Sequence, residues 1–199
     1  MSMAGLFERG DAEKGVCMKV LNVRNVHDAL PIALRFLELH GERRESRNGP
    51  VLVAPWPVTT VYERPLERVL FWPARDANPS FHLYEALYFL QGRRDVAPLA
   101  RYVKTITKYS DDQKIFHGGY GFRWRHWNPQ PGTDRIRAYP GRDQLSVIIR
   151  RLRENADDRR SVLQMWSATD DLDNPSVDVP CNTVATFQRG LQGELNLVV

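Results

Sequence analysis

Residues Phe81 to Gln91 carry Phe81, Leu83, Ala86, Leu87, Phe89 and Leu90, so densely that apolar positions fall on most faces of a helix. A helix that is apolar nearly all round is predicted to be buried, and this one constrains the fold more than any other stretch. Ser80 stands at its start as a cap and Gly92 at its end as a stop. Glu85 is the odd residue. It reads either as a carboxylate at the helix edge reaching water or an arginine, or as a partly buried acid with a raised pKa, suited to moving protons.

The other elements follow from shorter patterns. Val16 to Val23 contains a strand candidate. Asn25 caps a helix through His40, with Leu30, Ala33, Leu34 and Leu37 on one face and Gly41 as its stop. Pro31 moves the expected start toward Ala29. Glu42 to Pro50 reads as a charged loop, and Val51–Ala54, Val58–Tyr62 and Arg68–Phe71 as strands separated by prolines. Asp95 to Tyr109 is an expected third helix. Phe116 to Gly121 is a glycine-rich turn, and Asn128 to Gly141 a Pro/Gly-rich loop. Asp143 caps a helix from Gln144 to Glu154, its stripe Leu145, Ile148, Ile149 and Leu152. Strand Ser161–Trp166, an acidic loop Asp170–Asp178, a strand after Cys181 and a last strand Glu194–Val199 complete the chain.

Composition narrows the classes. A chain of 199 residues, 42% hydrophobic and 26% charged, suits one soluble domain with a loose arm over residues 1–15. No apolar run approaches the ~20 residues of a membrane span, and no apolar leader follows Met1. The two cysteines, Cys17 and Cys181, are too few for a disulfide framework, which implies a reduced, cytoplasmic setting. Without a CxxC pair or a His/Cys cluster at ligand spacing, no metal site is expected. The net charge of +4 suits a small phosphorylated substrate. The runs Glu42–Arg47 and Arg150–Glu154 mix both signs, as solvated faces do, and do not read as a nucleic-acid stripe.

Chemistry concentrates at Asp178-Val179-Pro180-Cys181-Asn182-Thr183. Proline lacks a donor and fits the entrance of a strand better than its centre. Cys181 is thereby presented near loop backbone and solvent, where a thiol can serve as nucleophile once its thiolate is favoured. The alternative is a buried structural cysteine. Arg159-Arg160 lies upstream, and such a pair by itself reads as surface ion pairing. Tyr120, Phe122 and Trp124 read as core aromatics beside the glycine turn.

Read backward along the chain, the Pro-Cys dipeptide, the Arg-Arg pair, Tyr120-Gly121-Phe122-Arg123-Trp124-Arg125 and Glu85-Ala86-Leu87-Tyr88-Phe89-Leu90-Gln91-Gly92 resemble the folate-dependent thymidylate synthase family, which includes pyrimidine nucleotide hydroxymethylases. The likeness runs from about Phe71 to Val199. It implies an α/β (α+β) fold over residues 1–199, a single domain with a large mixed β-sheet, flanking helices and a sheet-to-sheet homodimer. It implies Cys181 as nucleophile at C6 of a pyrimidine nucleoside monophosphate, with Glu85 and Tyr120 moving protons through ordered water. Arg159 and Arg160 then bind the nucleotide phosphate across the dimer interface, Asn182 contacts the substrate, and Arg47 is a further phosphate ligand from the first charged loop. The one-carbon donor is 5,10-methylenetetrahydrofolate.

Two departures bear on the product. The family's methylating members have histidine after the cysteine, where this chain has Asn182. They also carry tryptophans after the glutamate helix, where Tyr102 to Ser110 has none. Loss of an aromatic shield favours capture of the reactive intermediate by water, so hydroxymethylation is expected over methylation to thymidylate. A silent relative that binds nucleotide or RNA is the alternative of another class. In the family the last strand continues into an Arg-Ser-x-Asp segment and a base-reading asparagine, so the chain reads as truncated at its C-terminal end.

Overall fold

A computed structural model describes residues 18–46, 49–127 and 141–199. Arg47, Cys17, the arm over residues 1–15 and the loop residues 128–140 lie outside the described residues. Two compact units divide the chain, one ending at Pro79 and the other beginning at Ser80.

In the first unit β1 (Lys19–Val23) leads into α1 (Val26–His40). The Asn25 side chain caps α1 by accepting the Asp28 N–H at 3.0 Å, and the Gly41 N–H closes it on the Leu37 carbonyl. The helix starts at Val26 and not near Ala29, because the loss at Pro31 is made good locally. The His27 carbonyl that Pro31 has no N–H to serve accepts the Trp72 indole N–H at 2.9 Å. Ala29 and Phe36 are the buried residues of α1, and Leu34 faces solvent. The inward stripe is turned away from the expected one because Phe36 packs on Trp56 and His40.

β4 (Val58–Tyr62) runs parallel to β1 with Lys19 opposite Val58. Between them β2 (Glu42–Ser46) and β3 (Gly49–Val53) form an antiparallel hairpin, where a charged loop was expected over Glu42–Pro50. Ladder bonds need only backbone, and every side chain of β2 is exposed, so no hydrophobic alternation marks the strand. The expected strand Arg68–Phe71 is irregular. The Phe71 N–H goes to His27 Nδ1 at 3.3 Å and not to a ladder partner.

The second unit holds α2 (Pro79–Leu90), α3 (Val96–Ala100), a 3-10 stretch Lys104–Tyr109, α4 (Tyr120–His126), α5 (Gln144–Glu154), β5 (Val162–Gln164), α6 (Ala168–Asp171), β6 (Val184–Arg189) and β7 (Leu195–Val198). The last three strands form an antiparallel sheet in the order β5-β6-β7. Helices and strands are mixed, an α+β arrangement. Among the described residues the strands group into sheets of two, two and three strands, where the resemblance implies one large sheet. No described helix is long and apolar enough to cross a membrane.

α2 is not buried all round. Tyr88 is its buried residue, with Phe81, Tyr84 and Phe89 packed inward, whereas Leu83, Leu87 and Leu90 are exposed. Apolar residues on every face do not say which face finds a partner, and here the aromatic side does. The single helix expected over Asp95–Tyr109 breaks after Ala100, where Val103 is extended and a run rich in β-branched residues follows. α6 occupies the start of the expected acidic loop. α5 has the expected bounds and cap, Asp143 accepting the Ser146 N–H at 2.9 Å, and Ile148 is buried as expected, but Ile149, expected in the same stripe, is exposed.

Glycine brings α2 against α4. Gly92 has φ +75°, and a Cβ there would lie 2.5 Å from His126 Nε2. A Cβ on Gly121 would lie 2.6 Å from the Phe89 carbonyl oxygen. Two apolar clusters flank this junction: Tyr88, Val96, Leu99 and Phe116 on one side, Ile148, Leu163, Met165 and Ala185 on the other.

Candidate active site

Cys181 lies in a bend three residues before β6 and is exposed. Its N–H donates to the Tyr120 hydroxyl oxygen at 2.9 Å, and the Asn182 N–H donates to the same oxygen at 3.0 Å. On the far side the Thr183 carbonyl accepts the N–H groups of Met165 and Trp166 at 2.8 and 3.1 Å. The segment bearing the thiol is therefore pinned at both ends while the thiol faces solvent. Tyr120 opens α4, and its ring is held by Phe89 edge-on at 6.1 Å and by Trp124 stacked at 6.4 Å. Two donated bonds occupy the acceptor sites of the hydroxyl. What remains to it is its own proton.

The glycine turn closes on this segment. A Cβ on Gly118 would meet the Pro180 ring at 3.1 Å, and the Gly118 N–H donates to Asp178 Oδ2 at 2.7 Å. Behind it is a buried polar cluster. Arg123, 5% exposed, donates through Nη1 to Asp171 Oδ2 at 2.6 Å and through Nη2 to Oδ1 at 2.7 Å. It also donates to the Met165 carbonyl at 2.6 Å. His117 Nε2 lies 2.7 Å from Asp171 Oδ1, and the Ser167 N–H donates to Oδ2 at 2.7 Å. Burial by itself raises the Asp171 carboxyl, but bonds from Arg123, the Ser167 N–H and His117 outweigh it and hold the group at about 2.

Glu85 is half-buried on α2, and burial pushes its carboxyl up, with His82 pulling weakly the other way. It has no hydrogen-bond partner among the described residues. Phe89, one turn on and on the same face, carries the contact to Tyr120, so α2 brings Glu85 to the Tyr120 side of the unit without touching Cys181. Arg159 and Arg160 stand exposed in the turn before β5. The acids around them are committed elsewhere: Asp158 to Arg151 at 2.6 Å, Asp157 to Arg189 at 3.2 Å and Glu154 to Arg150 at 3.7 Å. Among the described residues neither guanidinium of the pair has an acidic partner. The structure thus joins Tyr120, Cys181 and Asn182 directly. It leaves Glu85 and the arginine pair at separate places, and Arg47 falls outside the described residues.

The sequence model of the thymidylate synthase family matches residues 40–199. The chain belongs to the thymidylate synthase family. A protein of Pseudomonas phage M6 named deoxyuridylate hydroxymethyltransferase is 53% identical over 182 residues, which cover 92% of this chain and 48% of that protein. One of the same name from Bacillus phage SP01 is 33% identical over 144 residues, 72% of this chain and 37% of that protein. The chain spans about half the length, or less, of these curated relatives. The family match begins well before Phe71, where the resemblance was first legible, and takes in the β2–β3 hairpin. Sequence reasoning missed the Arg123–Asp171–His117 cluster and Asp178. The second had a signal, an acid three residues before the cysteine. The first had none, since Asp171 lies 48 residues from Arg123 and 54 from His117.

Proposed function

We propose that this chain carries the chemistry of deoxyuridylate hydroxymethylation: transfer of a one-carbon unit from 5,10-methylenetetrahydrofolate to C5 of deoxyuridylate, with water supplying the hydroxyl. The observation that carries the reading is the exposed Cys181, on a segment held by its own backbone N–H groups to the Tyr120 hydroxyl and by the Thr183 carbonyl to the N–H groups of Met165 and Trp166. The names of the two phage relatives support the substrate and the product.

C5 of a pyrimidine is a poor nucleophile. Addition of the Cys181 thiolate at C6 gives an enolate-like ring whose C5 attacks an electrophilic carbon, one hard step divided into easier ones. When bound, the folate supplies that carbon at the oxidation level of formaldehyde. Exposed Leu172, Val177 and Val179, on the segment running into Cys181, fit a flat heteroaromatic donor. Tyr120 donates its proton to ordered water at the ring, Glu85 exchanges protons with that water from its half-buried position, and Asn182 borders the base. Arg159 and Arg160, free of acids, are suited to a phosphate, with Arg47 as a further ligand. They act across a homodimer whose interface is the outer face of the β5-β6-β7 sheet, where Val162, Val184 and Val198 are exposed.

Absence of tryptophan from Tyr102–Ser110 favours water over hydride as the final acceptor step. Mass analysis of the nucleotide with spectrophotometry of the folate decides the product. We expect 5-hydroxymethyldeoxyuridylate and tetrahydrofolate. Stoichiometric dihydrofolate with a methylated base would replace this reading with the methylating one.

A further inference from the structure

We infer that Asp178 is the general base that activates the water captured by the exocyclic methylene on C5, and so a catalytic residue for the hydroxymethyl product; the inference rests on the reading of Cys181 given above. Asp178 and Cys181 flank Pro180 on one short segment, and the glycine turn that touches Pro180 also binds Asp178. The carboxylate is half-buried, and a buried carboxylate is normally paired with a cation. This one is not. Arg123 directs both terminal nitrogens of its guanidinium, and His117 its Nε2, to Asp171. Among the described residues Asp178 Oδ2 has only the Gly118 N–H, and Oδ1 has no partner.

Holding an N–H needs no charge, since an amide oxygen does it equally well. The charge therefore needs another reason, and one oxygen is left free to accept a proton a few residues from the nucleophile. Burial pushes the Asp178 carboxyl up, with Asp111 adding to the rise, while the Gly118 N–H, His117 and Arg123 pull it down without cancelling it. A raised carboxyl is the stronger base, as proton abstraction from water requires.

The step balances without any oxidant or reductant. In the intermediate, C6 carries the Cys181 sulfur and C5 carries an exocyclic methylene. The water oxygen forms a bond to the methylene carbon and its proton passes to Asp178 Oδ1. The displaced π pair moves onto the C4 carbonyl oxygen as an enolate. Collapse of the enolate restores C5=C6 and expels the Cys181 thiolate, and Asp178 returns its proton to solvent. Run backward, the same groups remove the hydroxyl from the product, with Asp178 protonating the departing oxygen.

That reversal gives a test that needs no folate. The full chain is incubated with 5-hydroxymethyldeoxyuridylate labelled with 18O in the hydroxyl, and loss of label to water is followed by mass spectrometry. The unsubstituted chain is expected to wash out label. Asp178→Asn keeps an acceptor for the Gly118 N–H and should exchange at least ~100-fold more slowly, the usual worth of a positioned acid-base group. Thiol-dependent dehalogenation of 5-bromodeoxyuridylate, which needs Cys181 at C6 but no water capture, should stay within about threefold in the same variant. Equal falls in both reactions, or wash-out unchanged in Asp178→Asn, would overturn the assignment of Asp178 while leaving Cys181 in place. Failure of the unsubstituted chain in both reactions, or full dehalogenation by Cys181→Ala, would overturn the reading of Cys181 and this inference with it.

Discussion

Arginine is used in opposite ways in two regions of the second unit. Behind the glycine turn, Arg123 is buried and both terminal nitrogens of its guanidinium are taken, by Asp171 and by the Met165 and His117 carbonyls, with the Trp127 ring 4.8 Å away. In the turn before β5, Arg159 and Arg160 are exposed, and each nearby acid is occupied by a different arginine. One region satisfies its charge within the chain and the other withholds it from the chain. A buried pair is costly to break because the partner left behind is an uncompensated charge. An exposed, unpaired arginine costs the fold little to remove and is available to a phosphate. The two regions should therefore fail differently when altered.

The largest effect is expected on the open side. Cys181→Ala and Arg160→Ala should each reduce turnover below detection while leaving folding stability within ~0.5 kcal/mol, as for surface substitutions. Mixing the two inactive proteins should restore one intact site per heterodimer, read as recovered tritium release from C5-labelled deoxyuridylate. Heterodimers that form and remain inactive would show that the arginine pair does not serve the partner's thiol.

On the buried side the loss should appear in stability. Arg123→Met strands Asp171 and is expected to cost ~3–5 kcal/mol in urea unfolding, a large part of the ~5–15 kcal/mol that holds a domain. Arg123→Met with Asp171→Leu removes both charges and should recover most of that loss. A single variant as stable as the parent would erase the contrast between the regions.

The smallest effect is the acid limb of stability. Asp171 sits at about 2 in the folded chain, below the 3.8 ordinary for its kind. Its contribution is complete above the ordinary value and is lost as pH falls through about 2, because the unfolded chain takes up the proton first. Asp158, held at about 2 chiefly by Arg151 and further by Ser161, has the same sign. Asp171→Asn should lower stability near neutrality and flatten its decline between pH 4 and 2, measured as Tm against pH.

Much of the architecture was legible in local pattern. α5 with its Asp143 cap, α1 with Asn25 and Gly41, and the bend at Pro180 that exposes Cys181 all follow from residues within a turn of one another. Those features depend on capping geometry, on 3.6-residue spacing and on the missing donor of proline, and each acts over a few residues. The four motifs in order likewise carried the family. The β2–β3 hairpin was not legible, because its exposed charged side chains conceal a ladder made by backbone alone. Nor was the one-sided burial of α2, whose exposed leucines are chemically as apolar as its buried ring.

What the sequence by itself determined is which groups are present and in what local setting: a thiol after proline, an arginine pair, a glutamate on an apolar helix. Tertiary structure decided which charges are spent and which are free. Asp171 and Asp178 are both acids close in sequence to Cys181, yet contacts spanning 48 and 60 residues give the first an arginine and the second a lone glycine N–H. A carboxylate's strength as a base follows from its solvation and its nearest cation, and both are set only when distant segments pack together.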